Sequence, residues 1–190
     1  MKKIISNLLL LSLISLFSSQ AKALDLPKAF TTDFAVTLAT DGSQRESGRV
    51  FSANPELIRT ELKTEGKDQI NIYRDHKRYV LYPDRKWYRV FSDGHPLINE
   101  FSVIYQTDTR WEKIGDKEIS GKSAIKWNVT YHVNNQDKTV KVWTDANNNN
   151  PLRIKVDNKI VNLTNFKEGD PDPSLFEVPR NYTEIQDYQE

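Results

Sequence analysis

Three histidines, a few paired acidic residues and two short Gly/Ser phrases are the places where covalent or metal chemistry would have to start, and their spacing does not support it. His76, His95 and His132 are too far apart in sequence to give a metal-ligand pair, and no cysteine occurs among the 190 residues. Thiolate metal sites, thiol nucleophiles and disulfides are therefore excluded. His76 falls in a turn between two apolar runs, His132 lies on the polar side of an alternating run, and His95 stands beside Pro96. Asp170 and Asp172 suggest calcium, but Pro171 and Pro173 interrupt them and the spacing is not that of a helical calcium loop. Glu61 is flanked by Arg59 and Lys63, which reads as cross-strand charge pairing. Gly42-Ser43-Gln44-Arg45 has no nucleophile elbow, and Gly121-Lys122-Ser123 lacks the upstream glycines of a phosphate loop. The expectation is a protein with no catalytic residues, no metal site and no cofactor, and not an enzyme.

Binding chemistry is better represented. Tyr73, Tyr79, Tyr82, Trp87, Tyr88, Trp111, Trp127, Tyr131 and Trp143 fall mostly in alternating runs. Tyr and Trp combine a large apolar surface with one polar handle, which suits an amphiphile; the plain alternative is core and cross-strand packing. Trp143 is out of phase with Val140 and Val142, which places it on the outside, where it could meet a partner.

The elements that would position these residues are strands. Ile125, Trp127, Val129, Tyr131 and Val133 alternate with Lys126, Asn128, Thr130 and His132, giving one apolar and one wet side. Phe34, Val36 and Leu38 repeat the pattern, as do Ile58, Thr60 and Leu62. Asp75-His76, Pro83-Asp84, Asn134 to Asp137, Asp145 to Pro151 and Asp157-Asn158 punctuate the runs as hairpin turns. Such short connections require antiparallel pairing, and the alternating runs predict about ten strands. Helix is expected over Pro96 to Tyr105, where Leu97, Phe101 and Ile104 share a helical face, with short turns near Leu26 to Phe30 or Asn54 to Leu57.

The first 23 residues read as a cleavable export signal. Met1-Lys2-Lys3 is a basic start, Leu8 to Phe17 is largely apolar, and Ala21-Lys22-Ala23 is a small-x-small cleavage site. The apolar stretch is shorter than the roughly 20 residues that span a bilayer. Cleavage after Ala23 would leave residues 24–190 as a single domain without a membrane span, and the missing cysteine excludes lipidation at the new N-terminus. The signal carries three basic residues and no acidic one, so the remainder has 24 basic against 26 acidic side chains. Without concentrated positive charge, nucleic acid is not an expected partner. Asn-x-Thr triplets at Asn128, Asn162 and Asn181 are chance matches in strand-rich sequence if the export is bacterial. The expected location is the periplasm.

Two long stretches carry a resemblance. One comprises Ile58-Arg59-Thr60-Glu61-Leu62, Ile70-Asn71-Ile72-Tyr73-Arg74-Asp75 and Val80-Leu81-Tyr82-Pro83-Asp84-Arg85-Lys86-Trp87-Tyr88. The other runs from Trp111-Glu112-Lys113-Ile114-Gly115 through Ile119-Ser120-Gly121-Lys122, Trp127-Asn128-Val129-Thr130-Tyr131, Val142-Trp143-Thr144-Asp145 and Pro151-Leu152-Arg153-Ile154 to Leu175-Phe176-Glu177-Val178-Pro179-Arg180-Asn181-Tyr182. Together they resemble an uncharacterised family of exported bacterial proteins related to the outer-membrane lipoprotein carrier, or LolA-like, fold. No segment matches the arginine-bearing, mostly helical lid of the carrier itself. The resemblance implies a mainly β fold, a curled antiparallel sheet forming an unclosed β-barrel, with a few short helices lining or capping its concave face. It also implies a non-catalytic carrier or binder of a lipid, fatty acyl chain or acylated protein, with a role in outer-membrane biogenesis or in lipid or lipoprotein trafficking. The alternative is an envelope protein-protein interaction module with a solid core. Strand parity, the helix expected over Pro96 to Tyr105 as a cover on the apolar face, and this resemblance together nominate Phe34, Val36, Ile58, Leu62, Leu97, Phe101, Ile104, Trp127, Val129 and Tyr131 as the apolar ligand-binding set.

Overall fold

The computed structural model describes residues 24–64, 67–92, 103–105, 109–133 and 135–186. Their strands are β1 (Phe30–Leu38), β2 (Gln44–Asn54), β3 (Leu57–Thr64), β4 (Lys67–Arg74), β5 (Lys77–Tyr82), β6 (Trp87–Phe91), β7 (Arg110–Ile119), β8 (Lys122–Val133), β9 (Gln136–Asp145), β10 (Pro151–Val156), β11 (Lys159–Glu168) and β12 (Thr183–Glu184). All twelve join one open sheet in the order β12-β6-β5-β4-β3-β2-β1-β11-β10-β9-β8-β7. Pairing is antiparallel except where the two-residue β12 runs parallel to β6.

Turn chemistry makes the meander. Asp75 and His76 both have positive φ between β4 and β5, and Ser120 and Gly121 do so between β7 and β8. That backbone matches the twist of the flanking strands. Between β2 and β3 the Asn54 side-chain oxygen accepts from the Glu56 N–H at 2.9 Å, closing an Asx turn. The long-range closure is β1 against β11, with Phe34 opposite Leu163 and Val36 opposite Val161.

The helical part of the expected architecture is corrected. Among the described residues there is no α-helix, only two 3-10 turns at Val103–Tyr105 and Pro173–Phe176. Short helices lining or capping the apolar face are therefore absent there. The predicted helix over Pro96 to Tyr105 falls mainly outside the described residues, and its last three form one of these turns. At Asn54 to Leu57 the side-chain bond to Glu56 closes a hairpin in place of a helix cap. At Leu26 to Phe30 the chain runs directly into β1.

Register divides the sheet into two faces. Phe34 faces Gly48, Gly48 faces Leu62 and Leu62 faces Gln69, which defines the first face across β1 to β4. On this face a cluster of buried side chains includes Phe30, Phe34, Val50, Ile58, Trp111, Val129, Val142, Ile154 and Val161, joined by Leu26 and Ile104. The second face has its own cluster over β4 and β5. Ile72 and Leu81 are fully buried there beneath Phe176, with Leu175, Val178 and Tyr182 packed around them. The apolar side thus changes face between β3 and β4. A smaller second-face cluster joins Ile119, Ala124, Trp143 and Leu152.

Candidate functional site

The described members of the nominated set fall together. Phe34, Val36, Ile58, Ile104 and Val129 are buried in the first-face cluster, and Leu62, Trp127 and Tyr131 are half-buried against it. Leu97 and Phe101 lie outside the described residues, as does His95. Eight side chains from β1, β3, β8 and the 103–105 turn therefore share one apolar surface.

Their burial separates two roles. Val129 is fully enclosed, so its contribution is packing. Leu62, Trp127 and Tyr131 retain exposed surface at the border of the cluster, together with Tyr73, Val156 and Phe166, which the sequence reasoning did not nominate. Tyr73 could have been found from register, because it lies opposite Ile58. Phe166 follows an irregularity in the β1–β11 pairing, which hides its face from simple alternation.

Several aromatic groups are fixed by specific contacts. The Trp127 indole N–H donates to the Thr144 hydroxyl at 3.0 Å, and its ring meets Trp111 edge-on at 5.9 Å. Phe30 stacks on Phe166 at 4.8 Å and on Tyr105 at 6.0 Å. Burial pushes the Tyr105 phenol well above its ordinary range, so it stays neutral. A Cβ on Gly48 would run into the Glu61 backbone oxygen and reach Phe34 Cε1 at 3.0 Å. Glycine is what lets the Phe34 ring lie over that part of β2.

The face becomes polar toward β4. Gln69 donates to the Asn71 side-chain oxygen at 2.9 Å, and Asn71 donates to the Thr60 hydroxyl at 3.3 Å. Thr60 and Asn71 are both buried on the first face beside Ile58 and Leu62. Along this side of the sheet the side chains thus pass from aliphatic and aromatic groups to hydroxyl and amide groups.

Groups that could do other chemistry are scattered. His132 Nδ1 lies 3.0 Å from an Asp137 carboxylate oxygen in an exposed hairpin, and His76 is exposed in its turn. Glu61 pairs with Arg59 at 2.8 Å, along its own strand. The Asp172 carboxylate accepts the Ser174 N–H at 2.9 Å, a bond that lowers its pKa and caps the 173–176 turn. Among the described residues no group of three or more His, Cys, Asp or Glu side chains could hold a metal ion. Trp143, expected on the outside, is 6% exposed. A register shift in β10 lets Leu152 join Ile119 and Ala124 in packing against it.

No family model and no curated protein matches the chain. Solved structures do. An uncharacterized conserved protein from Thermus thermophilus aligns over 84% of this chain and 90% of its own, with a TM-score of 0.55 and 13% identity. A LolA superfamily protein from Nitrosomonas europaea aligns over 80% of this chain and 90% of its own, with a TM-score of 0.45 and 13% identity. The Pseudomonas aeruginosa MucA/MucB complex aligns over 80% of this chain and 56% of the matched chain, with a TM-score of 0.47 and 13% identity. At 13% identity the likeness to the Thermus thermophilus protein extends to the fold alone.

Proposed function

We propose that this is a non-catalytic protein of the bacterial periplasm that binds or carries a lipid or another apolar ligand on the first face of its sheet. Residues 1–23 act as the export signal, and residues 24–190 form the single working domain, released without a lipid anchor. The observation that supports this reading is the graded surface. Leu62, Tyr73, Trp127 and Tyr131 border the apolar cluster half-buried, and the Gln69, Asn71 and Thr60 ladder adjoins it. An acyl chain would lie along the apolar border, gaining about 25 cal/mol for each Å² it removes from water. Its polar end would lie toward β4.

Strand addition by a protein partner at the β7 edge is the weaker reading. β7 presents Glu112, Lys113, Asp116, Lys117 and Glu118 as exposed side chains and has an irregularity before Gly115. Charges and bulges on an edge strand oppose further pairing.

The test is gentle native mass spectrometry of the protein purified from its own periplasm, followed by organic extraction. A stoichiometric extra mass that extracts as an amphiphile is expected, with the polypeptide beginning at Leu24. Replacing Leu62 by Glu should abolish the adduct and leave the fold intact, because Leu62 is only partly buried. A bare polypeptide that also fails to take up a fluorescent fatty acid would overturn the proposal.

A further inference from the structure

On the second face, away from the apolar border, a cleft of about 490 Å³ opens between the β7–β8 turn and strands β10 and β11. Its lining combines Lys122, Arg153, Asn162 and Asn165 with the apolar side chains of Ile119 and Leu152, and includes no carboxylate. Arg153 lies opposite Asn162 in the β10–β11 register. Its Nε donates to the Asn162 side-chain oxygen at 2.7 Å. That bond orients the guanidinium and leaves its two terminal nitrogens without a hydrogen-bond or carboxylate partner among the described residues. Lys122 likewise has no ion pair among them.

A carboxylate beside the cleft, Asp33, is already committed. Asn165 donates to one oxygen of Asp33 at 2.8 Å, and Arg49 takes the other at 2.7 Å. Behind Ile119 and Leu152, Trp143 buries an indole N–H with no acceptor, and Lys126 Nζ lies 5.5 Å from the centre of its ring. The lining of the cleft itself therefore carries donors and positive charge with no carboxylate among its residues.

We propose that this cleft is an anion-binding site for a phosphate or carboxylate group carried on a short apolar stem. The Arg153 guanidinium would grip two oxygens of the anion, a geometry that favours planar and tetrahedral oxyanions. Lys122 adds a second charge, and Leu152 and Ile119 receive the stem. The site lies on the face opposite the proposed apolar-ligand surface and stands independently of that reading.

Two-dimensional amide NMR of the purified protein at constant ionic strength tests it, with inorganic phosphate, glycerol 3-phosphate and acetate as probes. Saturable shifts are expected at residues 119–122, 152–153 and 162–165. Arg153→Gln and Lys122→Gln should each weaken binding about tenfold, as loss of a charge-assisted hydrogen bond does, whereas the control Arg85→Gln should not. Tighter binding of glycerol 3-phosphate than of inorganic phosphate identifies a phosphorylated headgroup, equal binding identifies the free ion, and preference for acetate identifies a carboxylate. Shifts that do not saturate, spread over all basic side chains, or persist unchanged in a folded Lys122→Gln/Arg153→Gln double variant would overturn the proposal.

Discussion

The two faces of the sheet solve the same problem differently. On the second face, Ile72 and Leu81 are covered by the chain's own C-terminal segment. Phe176 is buried over them, and Arg59 and Arg74 donate to the backbone oxygens of Leu175 and Phe176 at 2.8 and 3.1 Å. On the first face, Leu26, Phe30, Ile104 and Tyr105 join the cluster, but its border keeps Leu62, Tyr73, Trp127 and Tyr131 half-exposed. A covering segment tied down by charge-assisted hydrogen bonds is part of the fold. A border of large, partly exposed apolar groups is where something else can be held. Under the binding reading proposed above, how firmly the cover is tied, rather than the amount of apolar surface, would mark the binding face.

The largest test of this contrast is Phe176→Ala. Removing a fully buried ring should cost about 3–5 kcal/mol in urea unfolding, while the folded fraction should retain the apolar-ligand binding proposed above. Equal losses in both would show that the faces act as one unit. Gly48→Ala tests the other side. Its new methyl meets the Glu61 backbone oxygen and the Phe34 ring, so it should cost about 1–3 kcal/mol by overpacking and reduce ligand uptake by displacing Phe34.

A smaller effect is expected from Arg74→Gln, which removes the bonds to the Phe176 carbonyl and the Glu177 carboxylate. With Glu177 67% exposed, solvent screening limits the loss to about 1 kcal/mol. Amide exchange should quicken across residues 173–178 and stay unchanged in β8 and β9. The smallest effect concerns Asp33, whose carboxyl is held below its ordinary pKa of 3.8 by the hydrogen bond from Arg49 and then by that from Asn165. A depressed carboxylate contributes stability above its unfolded pKa and loses it as pH falls through the folded value. Asp33→Asn should therefore be destabilising at neutral pH, with the gap to the natural protein closing below about pH 4, as read by unfolding at stepped pH.

Much of the fold was legible because alternation and turn chemistry are local. The Ile125 to Val133 run is the core of β8, and Asp75-His76 and Asp157-Asn158 are turns as expected. The change of face was encoded but needs arithmetic. With Glu65 and Gly66 between Thr64 and Lys67, Leu62 must oppose Gln69 and Glu61 must oppose Ile70, so Ile70 and Ile72 cannot share a face with Ile58. Parity within single strands brought seven nominated residues to one surface, which Ile104 joins from the 103–105 turn. It failed at Trp143, where a register shift on the neighbouring strand supplied a cover that alternation cannot see. Nor could alternation show Phe176 packing on residues about a hundred positions earlier, because that contact is purely tertiary.

The pairing of β1 with β11 also constrains when the molecule can fold. The Thr32 hydroxyl donates to the Thr164 carbonyl across 132 positions, and the Ile72 and Leu81 cluster waits for Phe176. Contacts of such separation form late, because the intervening loop must close before they reward it. A chain emerging N-terminus first from a narrow conduit would thus hold unpaired strands until nearly its last residues were through. Under the export proposed above, the same closure would leave the sheet incomplete until β11 and Phe176 had followed, and so would tie the completion of the fold to the end of transit.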